Sequence, residues 1–210
     1  MKVDILAFGA HPDDVELGCG GTISKAIQAG KTVGIIDLSR GELGTRGTAT
    51  IRAAEAAKAA KILGVEIREN LNLPDGFIFN NKENQLKVIE KIRQYQPEIV
   101  LCNAIADRHI DHGKSNSLVR EACFLSGLQK IKTNGAGSKN QNSWRPKATY
   151  SYIQWDSIPP DFVVDISGYI DLKMKAVAAY ESQFYNSDST ELETPISTQN
   201  SIDSVRYRAA

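Results

Sequence analysis

Only three histidines occur in the 210 residues, His11, His109 and His112, and each stands among carboxylates. His11 opens "HPDD" with Asp13 and Asp14, while His109 and His112 frame "HIDH" inside "DRHIDHG", which adds Asp107 and Asp111. Two adjacent like charges cost energy unless water solvates both or a cation lies between them. A single His-Pro-Asp turn is most often an ordinary solvated turn, so neither cluster alone argues for chemistry. Together they form the donor set of a catalytic divalent ion. Imidazole mixed with carboxylate suits zinc with an open position, and two histidines with one carboxylate also suit iron(II) or another divalent metal. More groups are present than three ligands require, which leaves a carboxylate and an imidazole for acid–base work. Spacing does not say which of Asp13 and Asp14 takes the metal.

Both clusters follow apolar runs of strand length. "VDILAFG", "TVGIIDLS", "VEIRENL" and "EIVLCNA" read as four strands alternating with helices over "GGTISKAIQAG", "TATIRAAEAAKAAKILG", "KENQLKVIEKIRQYQ" and "GKSNSLVREACFLSG". Such alternation predicts an α/β fold, Rossmann-like and doubly wound, with a mainly parallel sheet in the order 3-2-1-4-5 and helices on both faces. Strands one and four are then neighbours, and the order reverses between them. Ligands bind outside the carboxyl ends of strands at that reversal, so the two clusters meet in one crevice. Further along, residues 128–147 read as a polar, mobile loop. "ATYSYIQW" and "DFVVDIS" read as two more strands, "YIDLKMKAVAAYESQFY" as a helix, and "DSVRYRAA" as the start of another after an aperiodic tail.

The 25 basic and 25 acidic residues cancel and are scattered, which argues against nucleic acid as a partner. No apolar run approaches the roughly 20 residues of a membrane span, and "MKVDILAFGAH" lacks the pattern of a signal peptide. Three cysteines without paired spacing, Cys19, Cys102 and Cys123, fit reduced thiols, so the expected location is the cytoplasm.

"AHPDDVELGCGGT" together with "RHIDHG" resembles the LmbE-like, or PIG-L, family of zinc-dependent N-deacetylases. The likeness continues through "DLSRGELGTRG", "LPDG" and "YESQFYN", and within the family the chain is most similar to the bacillithiol-pathway N-acetylglucosaminyl-malate deacetylases. The resemblance implies His11, Asp14 and His112 as zinc ligands and Asp13 as general base. It implies His109, protonated and supported by Asp111, as the partner of the oxyanion. It also implies Arg52 and Arg108 as contacts to the carboxylates of the substrate, and a homo-oligomer. Residues 1–210 would form one domain lacking the C-terminal segment with which family members continue.

Two rival classes are weaker. "GCGG" with Asp37 mimics part of a dinucleotide fingerprint, but G-x-G-x-x-G is absent and the glycines come too late after the first strand. A metal-buffering module would leave Asp13 dispensable. Within the enzyme class, another amino sugar or an N-acetylglucosamine oligosaccharide is the alternative substrate.

Overall fold

A computed structural model describes residues 1–135 and 140–209; positions 136–139 of the expected mobile loop lie outside the described residues. Strands β1 (Ile5–Gly9), β2 (Val33–Ser39), β3 (Ile67–Leu73), β4 (Ile99–Cys102) and β5 (Ala148–Ser151) form one parallel sheet in the order β3-β2-β1-β4-β5. The expected 3-2-1-4-5 order is therefore observed. β1 is central, pairing Ile5 with Val33 of β2 on one side and with Ile99 of β4 on the other.

Every residue of β1 and β2 is buried, as in parallel strands covered by helices on both faces. Successive side chains point to opposite faces. Leu6 and Phe8 pack with Ile89 and Ile92 of α3 (Lys82–Tyr95) and Leu118 of α4 (Ile110–Leu125). Ala7 and Ile35 face the other layer, with Ile23 of α1 (Asp14–Gln28), Ala59 of α2 (Ala49–Leu63) and Val177 of α5 (Ile170–Ala178). Each fully buried large side chain of this kind contributes roughly 1.5–3 kcal/mol.

Local signals set the helix ends. The Thr48 side chain accepts the Ile51 N–H at the start of α2, and left-handed Gly64 ends it. Asn81 caps α3 through the Asn84 N–H, and left-handed Gln96 stops it before Pro97.

Several boundaries differ from expectation. α1 begins at Asp14, because a first turn precedes a kink at Cys19 (φ −135°, ψ 17°) and the expected helix is only its second part. Gly18, just before the kink, lies against the Tyr152 ring, where a Cβ would collide with it. α4 begins at Ile110, so Asp111 and His112 sit in a helical first turn rather than an extended loop. "DFVVDIS" forms no strand and Val163 is 81% exposed, because the chain after β5 crosses the carboxyl end of the sheet instead of pairing with it. β5 accordingly stops at Ser151, and α5 ends at Ala178. The last helix, α6 (Gln199–Tyr207), starts earlier than expected, capped by Thr198 through the Ser201 N–H. Among the described residues, no helix is long and apolar enough to cross a membrane.

Candidate active site

The loop after β1 and the loop after β4 meet at the reversal point, and the three imidazoles cluster there with ring centroids 4.5, 5.3 and 5.7 Å apart. A cleft of about 1640 Å³ opens over them, lined among others by His11, Asp13, Asp14, His109 and His112. Asp111 is fully buried beneath.

Asp14 is the hub. Its Oδ2 accepts the His11 backbone N–H at 2.9 Å and Asn103 Nδ2 at 3.0 Å, while Oδ1 accepts Gln154 Nε2 at 2.7 Å. His11 Nδ1 stands 3.5 Å from Oδ2, and His112 Nε2 stands 3.2 Å from Oδ1. The outer nitrogen of each imidazole is held by a carboxylate: His11 Nε2 by Asp75 at 3.0 Å, and His112 Nδ1 by Asp107 at 2.7 Å. This arrangement fits a divalent metal on two counts. Carboxylates behind histidines fix the tautomer that turns the inner nitrogen toward an ion. Ligand atoms around a tetrahedral zinc lie roughly 3.3–3.5 Å apart, and the two contacts of Asp14 with the imidazoles, each through one of its oxygens, lie near that separation. Proximity alone groups His109 with His11 and His112, and His11 with Asp75 and Asp111, each set offering atoms within 4.8 Å of one another, and Asp14 belongs to neither set.

The ionisation of these groups follows from their surroundings. Burial works to raise Asp14, but the His112 charge and the bonds from His11 and His112 hold it well below the usual carboxylate range. Burial works to lower His112, but the Asp14 charge and the Asp107 bond raise it to about 9. His11 is likewise lifted well above its ordinary value, burial being outweighed by its bonds to Asp111, Asp14 and Asp75. Asp13 behaves oppositely. Burial, only partly offset by Arg52, pushes its carboxyl up to about 7. A carboxyl poised near neutrality beside a cation site can accept and return a proton.

His109 departs from expectation. As N-cap of α4 its Nδ1 accepts the Asp111 N–H at 3.3 Å, so the ring carries its proton on Nε2. Burial, and the His11 and His112 charges while those imidazoles are protonated, lower its pKa, which works against the expected imidazolium in the metal-free site. The Asp111 carboxylate bonds the Gly76 N–H at 2.7 Å and lies 3.5 Å from His11 Nε2, rather than supporting the His109 ring.

The two arginines separate. Arg108 is exposed on the cleft wall, its guanidinium 4.7 Å from the centroid of the Trp155 ring and without a carboxylate partner among the described residues. Arg52 is buried and bonded to Pro12, Asp13 and Gly41. Asp37, the acid of the dinucleotide-like pattern, is held by Arg68 through two bonds of 2.8 and 2.9 Å, so no ribose could use it. Cys19 carries no thiolate, because burial drives its thiol far above the usual range.

Sequence reasoning missed Asp75, Asn103 and Gln154. Asp75 and Asn103 follow β3 and β4 at the carboxyl edge of the sheet, a position that could have flagged them. Gln154 carried no signal.

Fold and site together define an open α/β protein whose switch-point crevice gathers a His/Asp cluster that could bind a divalent cation beside Asp13, a buried carboxyl pushed up to about 7. Residues 6–123 match the family model "PIG-L: GlcNAc-PI de-N-acetylase". The chain belongs to the PIG-L family. It is 30% identical to the diacetylchitobiose deacetylase of Thermococcus kodakarensis, over 86% of this chain and 70% of that protein. The 1D-myo-inositol 2-acetamido-2-deoxy-alpha-D-glucopyranoside deacetylase of Kineococcus radiotolerans is 36% identical, with 71% of this chain and 52% of that protein covered, so the chain spans about half its length. The crystal structure of a conserved Thermus thermophilus protein superimposes with a TM-score of 0.80 at 40% identity, covering 87% of this chain and 80% of that one.

Proposed function

We propose that the chain is a zinc-dependent deacetylase that hydrolyses the acetamide of an N-acetylglucosaminide, with N-acetylglucosaminyl malate of bacillithiol biosynthesis as substrate. The observation that carries this reading is the pairing of two carboxylate-backed imidazoles on Asp14 with a neighbouring carboxyl, Asp13, pushed up to about 7. His11, Asp14 and His112 would hold the metal. When bound there, zinc, or iron in its place, supplies the Lewis acidity that brings water's pKa to about 7 and polarises an amide carbonyl.

The chain's own residues do the rest. Asp13 takes the proton of the attacking water and returns it to the departing amine. His109 donates its Nε2–H to the oxygen on which negative charge develops, as a neutral donor whose orientation the α4 cap fixes. Asp75 and Asp107 keep the His11 and His112 tautomers. Arg108, a planar cation exposed on the cleft wall, would grip a carboxylate on the aglycone. The similarity to deacetylases whose names specify chitobiose and an inositol glycoside supports an N-acetylglucosaminide and makes diacetylchitobiose the alternative substrate.

The test is acetate release by metal-replete protein from N-acetylglucosaminyl malate, diacetylchitobiose and free N-acetylglucosamine. Preference for the malate glycoside is the expected result. No acetate from any of the three would overturn the reading, and preference for chitobiose would replace the malate assignment. The proposal extends to a cytoplasmic homo-oligomer: light scattering on the purified protein should give a multiple of the chain's mass, and a monomer's mass would remove the assembly.

A further inference from the structure

Arg52, the fourth residue of α2, reaches back under the turn that follows β1. Its Nη2 donates to the Pro12 carbonyl at 2.6 Å and to Asp13 Oδ2 at 3.0 Å, and its Nη1 donates to the Gly41 carbonyl at 3.2 Å. Three of its five N–H groups are thus spent on the protein, and the one on Nε is buried with no partner among the described residues. Little is left to offer a substrate.

What the guanidinium holds is unusual backbone. Asp13 sits at φ 115° and ψ −27°, a left-handed conformation that non-glycine residues rarely adopt and that persists only where the surroundings over-determine it. By gripping the carbonyl of Pro12 and the carboxylate of Asp13 together, Arg52 fixes both the peptide entering Asp13 and the side chain leaving it. Gly41 completes the cradle. It has φ +65°, and a Cβ there would run into Arg52 Nη1.

We propose that Arg52, seated against Gly41, is a positioning residue that holds Asp13 in its left-handed turn, and not the substrate contact that the family resemblance implies. The inference rests on the proposed deacetylase reading, in which Asp13 is the base. A base must present its lone pair within hydrogen-bond reach of the water, and a displacement of about 1 Å can cost on the order of 100-fold in rate.

Arg52→Lys, Arg52→Met and Gly41→Ala test it, each compared with the wild type for metal content, kcat and KM on a substrate the wild type deacetylates. The expected outcome is retained metal, unchanged KM and kcat lower by roughly 10–100-fold in all three. Added methylguanidinium should restore part of the kcat of Arg52→Met. A raised KM with intact kcat would return Arg52 to the substrate, and an unimpaired Arg52→Lys would remove the bridging role. A crystal structure of Arg52→Lys gives a readout that does not depend on turnover. Asp13 should leave the left-handed region, and its staying there would overturn the inference. If the wild type deacetylates nothing, the functional reading fails while this structural outcome still decides the role of Arg52.

Discussion

Asp13 and Asp14 are neighbours in the chain with opposite surroundings, and their substitutions should part accordingly. Asp14 collects the His11 N–H, Asn103 and Gln154 and faces both inner imidazole nitrogens, so Asp14→Ala should lose bound metal. Asp13 makes its side-chain bond to Arg52, so Asp13→Asn should keep the metal and lose turnover by roughly 10²–10⁴-fold, the usual contribution of a general base. Elemental analysis beside single-substrate kinetics separates the two, and near-native turnover in Asp13→Asn would move the base elsewhere. Asp107 holds His112 from behind at 2.7 Å. Asp107→Asn should weaken metal affinity by about 10–100-fold in a chelator competition while leaving the fold intact. Unchanged affinity would show that His112 needs no such support.

Among the elements, the α1 kink and the segment after β5 act as one unit. Tyr152 packs on Gly18 and donates its hydroxyl to the Phe8 carbonyl at 2.8 Å. Two residues on, Gln154 reaches Asp14, and the Asp156 N–H meets Asp107 at 3.1 Å. Gly18→Ala forces the Tyr152 ring away, an overpacking that costs about 1–3 kcal/mol. A fall of several degrees in Tm is expected, together with weaker metal retention as Gln154 and Asp156 follow the ring. A lower Tm with wild-type metal affinity would mean that the segment merely covers the site.

For the molecule as a whole, metal and protons compete for one charged crevice. Without metal, His112 is raised to about 9 and His11 well above its ordinary value, both held by carboxylates. Below about pH 9 a ligating imidazole must therefore give up a proton before it can bind, so apparent metal affinity should rise with pH and fall as pH drops. Between pH 6 and 8 the rise should approach tenfold per pH unit for each proton released. Calorimetry of zinc uptake in buffers of different ionisation enthalpy counts those protons directly. A pH-independent affinity over that range would show that the imidazoles are neutral before the metal arrives. Because metal binds the folded chain, saturation should also raise Tm.

Alternating apolar runs were enough to place four strands, the helices between them to within a turn or two, and the 3-2-1-4-5 order, because burial of β1 and β2 on both faces keeps those runs mostly apolar. The same order brought His11 and His112 to one crevice. The partners behind them were not legible. Asp75 lies 64 residues from His11, Asn103 lies 89 from Asp14, and Gln154 lies 140 from Asp14. Periodicity is a local signal, whereas which side chain closes on which imidazole depends on how loops from separate strands pack. The inward turn of Arg52 and the neutral ring of His109 belong to that second kind. Each depends on a left-handed turn or a helix cap that exists only once β1, β2, α2 and α4 are assembled.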